Sequence, residues 1–114
     1  MNYEYYKTLI GEYINLGRSE ERLLGEVGYP EEIKLDTDSF IKAVAVIAAV
    51  ADVNMKRLVE LSEMSMTAFA RMFGLPYRSL QNWCADVRTP PEYVPMLIGY
   101  ILIMQLEDAG NGDI

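Results

Sequence analysis

Residues 66–83 read MTAFARMFGLPYRSLQNW, and this order of residue types predicts two short helices joined by a tight corner. Thr67 can cap the first helix by accepting a hydrogen bond from a free backbone N–H, and Gly74 can adopt the left-handed conformation that ends a helix. Proline suits the first turn of a helix, where the N–H that it lacks would have no partner. The second helix is therefore predicted to begin at Pro76 or Tyr77.

The two predicted helices carry different side chains on their inner and outer faces. The apolar residues are expected to point inward across the corner: Phe69, Ala70, Phe73, Leu75, Leu80 and Trp83. The outward residues of the second helix all have side chains that can form hydrogen bonds: Tyr77, Arg78, Gln81 and Asn82. On a helix in the major groove, Arg recognises guanine, and Gln or Asn recognises adenine. The outer face is therefore a candidate for reading DNA.

The charge of this segment differs from that of the rest of the chain. The 114 residues carry 10 basic and 17 acidic side chains, a formal net charge of −7, so the whole molecule would not attract nucleic acid. Residues 66–91 instead hold Arg71, Arg78 and Arg88 against the single acid Asp86. This local positive excess is expected if the corner meets a polyanion.

The longer segment MTAFARMFGLPYRSLQNWCADVRTPPEYV resembles the helix-turn-helix of the Cro/repressor-like (Xre-type) bacterial and phage regulators. In that family the fourth and fifth motif positions are apolar and alanine, the ninth is glycine, and the fifteenth and eighteenth lie in the core. The matching residues are Phe69, Ala70, Gly74, Leu80 and Trp83. The chain departs from the family at Cys84, Asp86 and Val87, where Glu, Gly and Lys are common.

The resemblance implies a sequence-specific transcription regulator that binds double-stranded DNA. Its base-reading residues would be Tyr77, Arg78, Gln81 and Asn82. The residues that contact phosphates, which set the position on DNA without reading its sequence, would be Thr67, Arg71 and Arg88.

Three arginines are few for a DNA-binding surface, because phosphate neutralisation supplies most of the non-specific affinity. A homodimer would present six, so the DNA-binding interpretation predicts pairing of two chains. The last helix has more apolar residues than a single core-facing stripe requires, so it is the candidate interface between the two chains. Its apolar residues are Met96, Leu97, Ile98, Tyr100, Ile101, Ile103 and Met104.

The rest of the chain predicts further helices and no strand. Residues 3–16 show the three- and four-residue apolar spacing of an amphipathic helix. One short helical turn is expected at residues 23–24, followed by a loop over residues 25–37. Asp38 or Ser39 is then expected to cap a second full helix.

This second full helix is apolar nearly all round through residues 43–51 and is predicted to be the central core helix. A third, amphipathic helix is predicted within residues 54–63, and the last helix is expected to end at Leu106. The chain is thus predicted to be all-α, a small bundle of five to six helices containing a Cro/repressor-like helix-turn-helix.

We expect one globular unit with three regions. Residues 1–53 form an N-terminal helical extension that packs on the core, residues 54–106 form the helix-turn-helix domain, and residues 107–114 form a flexible tail.

Composition argues against several other classes of protein. The chain has no histidine and one cysteine, Cys84, which excludes His-dependent nucleophiles, a tetrahedral Cys/His zinc site and an intramolecular disulfide. We therefore expect no enzyme activity, no cofactor and no metal, and a reducing, cytoplasmic location. The apolar run at residues 43–51 is about half the length that spans a bilayer, and no secretory leader is visible, so no membrane partner is expected.

A different function remains open for the same scaffold. The acidic N-terminal half, the aromatic N-terminus and the departures at Asp86 and Val87 also suit a protein-binding module. Such a protein could be an antitoxin or an inhibitor of a nucleic-acid-binding enzyme, and its partner would be a protein.

Overall fold

The computed structural model of the chain describes residues 1–27 and 35–111. These residues form seven α-helices and no strand, which confirms the all-α prediction but exceeds the predicted five to six helices. The helices are α1 (Tyr3–Asn15), α2 (Glu20–Val27), α3 (Thr37–Ala51), α4 (Met55–Ser62), α5 (Met66–Phe73), α6 (Tyr77–Cys84) and α7 (Tyr93–Asn111).

Helix α2 replaces the single helical turn that the sequence predicted. Its first turn is held by Ser19, whose Oγ accepts a hydrogen bond from the N–H of Arg22 at 3.2 Å. Leu23 is fully buried, and α2 packs on α3. Burial of this side chain offsets Gly25, which costs about 1 kcal/mol in a helix, so tertiary packing outweighs local propensity. Of the rest of the predicted loop, residues 28–34 lie outside the described residues, residues 35 and 36 precede α3, and Thr37 is the first residue of that helix.

Helix α3 is the centre of the core, as predicted. All of residues 43–50 are buried, and α3 contacts α1, α2, α4 and α7. Its cap is Asp36 rather than Asp38 or Ser39, because the carboxylate of Asp36 accepts a hydrogen bond from the N–H of Ser39 at 2.7 Å. This hydrogen bond also lowers the pKa of Asp36. The segment DTDS contains several side chains that can cap a helix. Which of them does so depends on the residue at which the packed helix begins.

The N-terminal region shares one hydrophobic core with the rest of the described chain. Tyr6 of α1 is fully buried, and its hydroxyl donates a hydrogen bond to the backbone oxygen of Met96 in α7 at 2.7 Å. The ring of Tyr100 packs 5.2 Å from the ring of Tyr6 and 5.1 Å from that of Tyr3. Residues 1–53 therefore help to hold α7 in place.

Helix α7 continues five residues beyond Leu106, into the region predicted to be a flexible tail. There the carboxylate of Glu107 pairs with the amino group of Met1 at 2.5 Å, and the backbone oxygen of Met1 accepts a hydrogen bond from Tyr100 at 3.0 Å. This long-range contact favours helix where local composition alone indicated a tail. Residues 112–114 lie outside the described part. No helix within residues 1–27 and 35–111 has the length and apolar character needed to cross a membrane.

Candidate nucleic-acid interface

The corner between α5 and α6 has the local geometry that the sequence predicted. Gly74 adopts the left-handed conformation, with φ 65° and ψ 32°, and ends α5. The N–H of Leu75 then bonds to the oxygen of Ala70 at 2.8 Å. Pro76, with φ −60° and ψ 129°, stands immediately before α6. The chain therefore stops one helix and starts the next within three residues.

The cap of α5 is Ser65, and not Thr67 as predicted. The hydroxyl of Ser65 accepts a hydrogen bond from the N–H of Ala68 at 3.1 Å. Thr67 is the second residue of the helix, and its side chain is exposed. It can still meet a phosphate at this helix end, but it does not stabilise the helix as a cap.

We expect replacement of Ser65 by alanine to lower the free energy of unfolding by about 1 kcal/mol, because one N–H at the start of α5 loses its partner. The matched change Thr67→Ala should alter stability by less than about 0.5 kcal/mol. Urea denaturation followed by circular dichroism measures both. Equal effects of the two changes would contradict the assignment of the cap.

The inward side chains hold α5 and α6 together to different degrees. Phe69 and Leu80 are fully buried, and Ala70 is buried where α5 and α6 pack. Phe73 lies at the edge of this cluster, with its ring 4.8 Å from that of Phe69. Phe73, Leu75 and Trp83 are only half-buried. Helix α4 also packs on α6, so it helps to hold α6 in place.

The predicted base-reading residues lie on α6 with unequal exposure. Tyr77, Arg78 and Gln81 are exposed, whereas Asn82 is half-buried. The backbone oxygen of Asn82 accepts hydrogen bonds from the N–H groups of Val87 and Arg88, at 2.9 and 3.3 Å. Asn82 therefore belongs partly to the turn that follows α6, and the open face consists mainly of the other three side chains.

Arg71, Arg78 and Arg88, which we call the corner arginines, are all exposed. Among the described residues, none of them has a carboxylate within the 4.0 Å of a salt bridge. No acidic group in that part of the chain therefore neutralises them by direct contact.

Two arginines elsewhere show the opposite arrangement. Arg18 pairs with Asp52 at 2.6 Å. Arg57 forms two hydrogen bonds to the carboxylate of Glu20, at 2.7 and 2.9 Å. The first pair joins the segments that follow α1 and α3, and the second joins α2 to α4. The protein therefore uses these two arginines in ion pairs between segments distant in sequence and leaves the corner arginines unpaired.

Lys56 is a basic residue near this face that the sequence analysis did not select. It is exposed on α4 and lines one shallow depression together with Tyr77 and Gln81 of α6. Its position depends on the packing of α4 against α6, which begins 21 residues after Lys56 in sequence, and no local pattern indicated it. Lys56 adds a fourth positive charge beside α6.

Cys84, at the end of α6, is half-buried. Burial raises the pKa of its thiol, and the nearby carboxylates of Asp86 and Glu60 raise it further, while Lys56 acts in the opposite direction. The raised pKa keeps the thiol protonated near neutral pH. Because the thiolate is the reactive form, Cys84 lacks the environment of an activated nucleophile.

Asp86 occupies a special backbone position after α6. Its φ is 58°, the left-handed conformation that glycine adopts freely and aspartate tolerates better than most residues. At this position the resemblance led us to expect glycine. The structure therefore keeps the expected backbone shape here but adds a negative charge near the corner.

A metal site finds no support in the described residues. No group of three His, Cys, Asp or Glu side chains there could hold a metal ion. Comparisons with protein-family models, curated proteins and solved structures find no match to this chain. A functional interpretation therefore depends on the geometry and charge of the α5–α6 face.

Proposed function

We propose that this protein is a sequence-specific DNA-binding regulator of transcription, in which α5 and α6 act as a helix-turn-helix and α6 enters the major groove. The observation that carries the proposal is the set of corner arginines, exposed and without an ion pair in the described part of a molecule whose net charge is −7. An acidic protein gains solubility from its charge, but a local group of unpaired arginines favours contact with a polyanion.

The proposed contacts follow from the place of each side chain. Arg78 and Gln81 lie on the exposed side of α6, where they would meet base edges, and Tyr77 begins the same helix. Arg71 lies on α5 and Arg88 follows α6, both are exposed, and we assign both to phosphate contacts. Lys56, which lies beside Tyr77 and Gln81, would add a phosphate contact from α4.

Binding to a random DNA duplex at low salt tests the proposal. The variant Arg71→Gln/Arg78→Gln/Arg88→Gln should bind at least about 30-fold more weakly than the wild type, and its affinity should depend less on salt. The control variant Lys7→Gln/Arg22→Gln/Lys42→Gln removes the same amount of charge from α1, α2 and α3. Fluorescence anisotropy at several salt concentrations measures all three proteins.

The control variant should bind DNA nearly as well as the wild type, because its lost charges lie on other helices. An equal loss of affinity in both variants would mean that only net charge matters, and it would contradict a DNA-binding face at the corner. Absence of wild-type binding at low salt would overturn the proposal.

One observation favours a protein-binding module as the second candidate. Val87 is 68% exposed and stands between the acidic Asp86 and the basic Arg88. An exposed apolar side chain flanked by both charges suits a protein surface better than a phosphate backbone. In that case the wild type would not bind random duplex, and its partner could be a toxin or a nucleic-acid-binding enzyme.

A further inference from the structure

Helix α7 exposes an apolar stripe on the side opposite the core. The buried side consists of Val94, Ile98, Leu102 and Ile103. The exposed stripe consists of Tyr93 (64% exposed), Leu97 (49%), Ile101 (39%) and Met104 (43%). Their spacing of four, four and three residues places them on one face of the helix. Of the seven residues that the sequence assigned to the dimer interface, Ile98 and Ile103 instead belong to the core, and Met96 and Tyr100 are half-buried against it.

A groove lies beside this stripe, between α7 and the α5–α6 corner. Its volume is about 200 Å³, and it is lined by Phe73, Leu75, Tyr93, Val94, Leu97, Ile98 and Ile101. All of these side chains are apolar or aromatic. The same face thus presents both projecting side chains and a depression, which is what a two-fold symmetric contact between identical surfaces requires.

The area of this face reaches the size of a small specific interface. From the exposed fractions of the stripe residues and the walls of the groove, we estimate about 500 Å² of apolar surface on each chain. Two chains would then bury about 1,000 Å² in total, near the lower limit for specific association. Such an area is consistent with a dissociation constant in the micromolar range, since small interfaces leave little surplus after the cost of association.

The distribution of charge leaves this face open to a second copy. Two molecules with a net charge of −7 repel each other, but residues 93–106 contain no Asp, Glu, Lys or Arg. The acidic residues of α7 and its flank lie at the two ends of the stripe, at Glu92, Glu107 and Asp108, and Glu107 is paired with the amino group of Met1. The face therefore has an apolar centre with charges at its ends, the arrangement of a protein interface.

We propose that the α7 stripe and its groove bind the same face of a second copy of this chain, giving a two-fold symmetric dimer. Leu75, in the groove, is two residues before the start of α6, so the interface borders the corner. Dimerisation itself does not depend on the proposed function. Its consequence for DNA does, because pairing doubles the number of corner arginines on one assembly.

Sedimentation velocity at protein concentrations from about 1 to 200 μM tests the dimer. The wild type should shift from monomer to dimer over this range, and Ile101→Glu should remain monomeric because it places a charge in the interface. Ile41→Glu is the matched control, since Ile41 is an isoleucine of similar exposure, 48%, on helix α3. It should dimerise like the wild type.

Circular dichroism should show the same helix content in all three proteins. If Ile101→Glu unfolds, Leu97→Lys serves as the second test and should also be monomeric. A wild type that stays monomeric at the highest concentration would overturn the proposal and would favour a different protein as the partner of the α7 stripe. Dimerisation of both folded variants at wild-type strength would overturn it as well.

DNA binding separates this proposal from the proposed function. The triple variant of the corner arginines should remain a dimer and lose DNA binding, whereas Ile101→Glu should lose the dimer and bind DNA at least about tenfold more weakly. A wild type that dimerises without binding DNA would refute the proposed function alone. A monomeric wild type that binds DNA would refute the dimer alone.

Discussion

Replacement of Gly99 by alanine should lower the free energy of unfolding by about 2 to 3 kcal/mol. Gly99 lies in the middle of α7, which packs on α3 and accepts a hydrogen bond from Tyr6 of α1. A Cβ atom at this position would lie 2.6 Å from the hydroxyl oxygen of Tyr6, and it would overlap a methyl group of Val50. The Cγ1 of Val46 would be 3.4 Å away, so three neighbours confine the site.

These neighbours have little freedom to move. Tyr6 is fully buried and its hydroxyl is bonded to the backbone of Met96 in α7, while Val50 and Val46 are buried in α3. Displacing α7 would open voids along its contact with α3, and displacing Tyr6 would break its hydrogen bond. Both costs exceed the gain of about 1 kcal/mol that alanine provides over glycine in a helix.

Gly11→Ala is the matched control for this prediction. Gly11 also lies inside a helix, α1, but apart from its chain neighbours and the backbone of its own helix, no atom lies within 4 Å of the Cβ that alanine would add. This change should stabilise the protein by about 0.5 to 1 kcal/mol. Urea denaturation at low micromolar concentration, where pairing of chains contributes little, measures both variants. A Gly99→Ala protein as stable as the wild type would show that α7 does not approach α1 and α3 this closely.

Arg78→Ala and Arg88→Ala should affect DNA binding in different ways. Arg78 is the second residue of α6 and is exposed, in the part of the helix that would meet base edges. Its loss should reduce discrimination at one base pair by about 1 to 3 kcal/mol. Arg88 follows α6, and its N–H donates a hydrogen bond to the backbone oxygen of Asn82, which places Arg88 at the C-terminal end of the helix. Its loss should weaken binding to all sequences alike and lower the salt slope by about one.

Selection of bound sequences from a random duplex pool measures the loss of base discrimination in Arg78→Ala. Titrations against the selected duplex and a shuffled duplex at several salt concentrations measure the general loss of affinity and the salt slope of Arg88→Ala. Arg22→Ala, on the exposed surface of α2, is the control and should leave both quantities unchanged. If Arg78→Ala retains full sequence preference, α6 does not read bases through this residue. If Arg88→Ala changes preference instead of salt dependence, the two roles have been assigned the wrong way round.

Local chemistry was sufficient to predict the corner. Gly74 can adopt the left-handed backbone because it has no Cβ, and Pro76 restricts φ through its ring, so the stop of α5 and the start of α6 follow from adjacent residues. The central place of α3 was also predictable, because residues 43–50 leave the helix without a polar face. The all-α fold follows from such periodic patterns along the chain.

Features that depend on distant residues were missed or misplaced. Helix α2 forms because Leu23 is buried against α3, which outweighs a glycine inside the helix. Lys56 joins the candidate face only because α4 packs on α6. The tail was predicted to begin at residue 107, but the contact of Glu107 with Met1 connects the two ends of the chain.

The sequence by itself determined the helical class, the corner at Gly74 and the excess of arginine around it, because each of these depends on residues a few positions apart. Only the tertiary structure decided which side chains remain open to solvent. Exposure of Arg78, Leu97 or Ile101 depends on which helices cover it, and those helices come from remote parts of the chain. The candidate DNA face and the candidate dimer face were therefore defined by packing, while the residues that form them were already visible in the sequence.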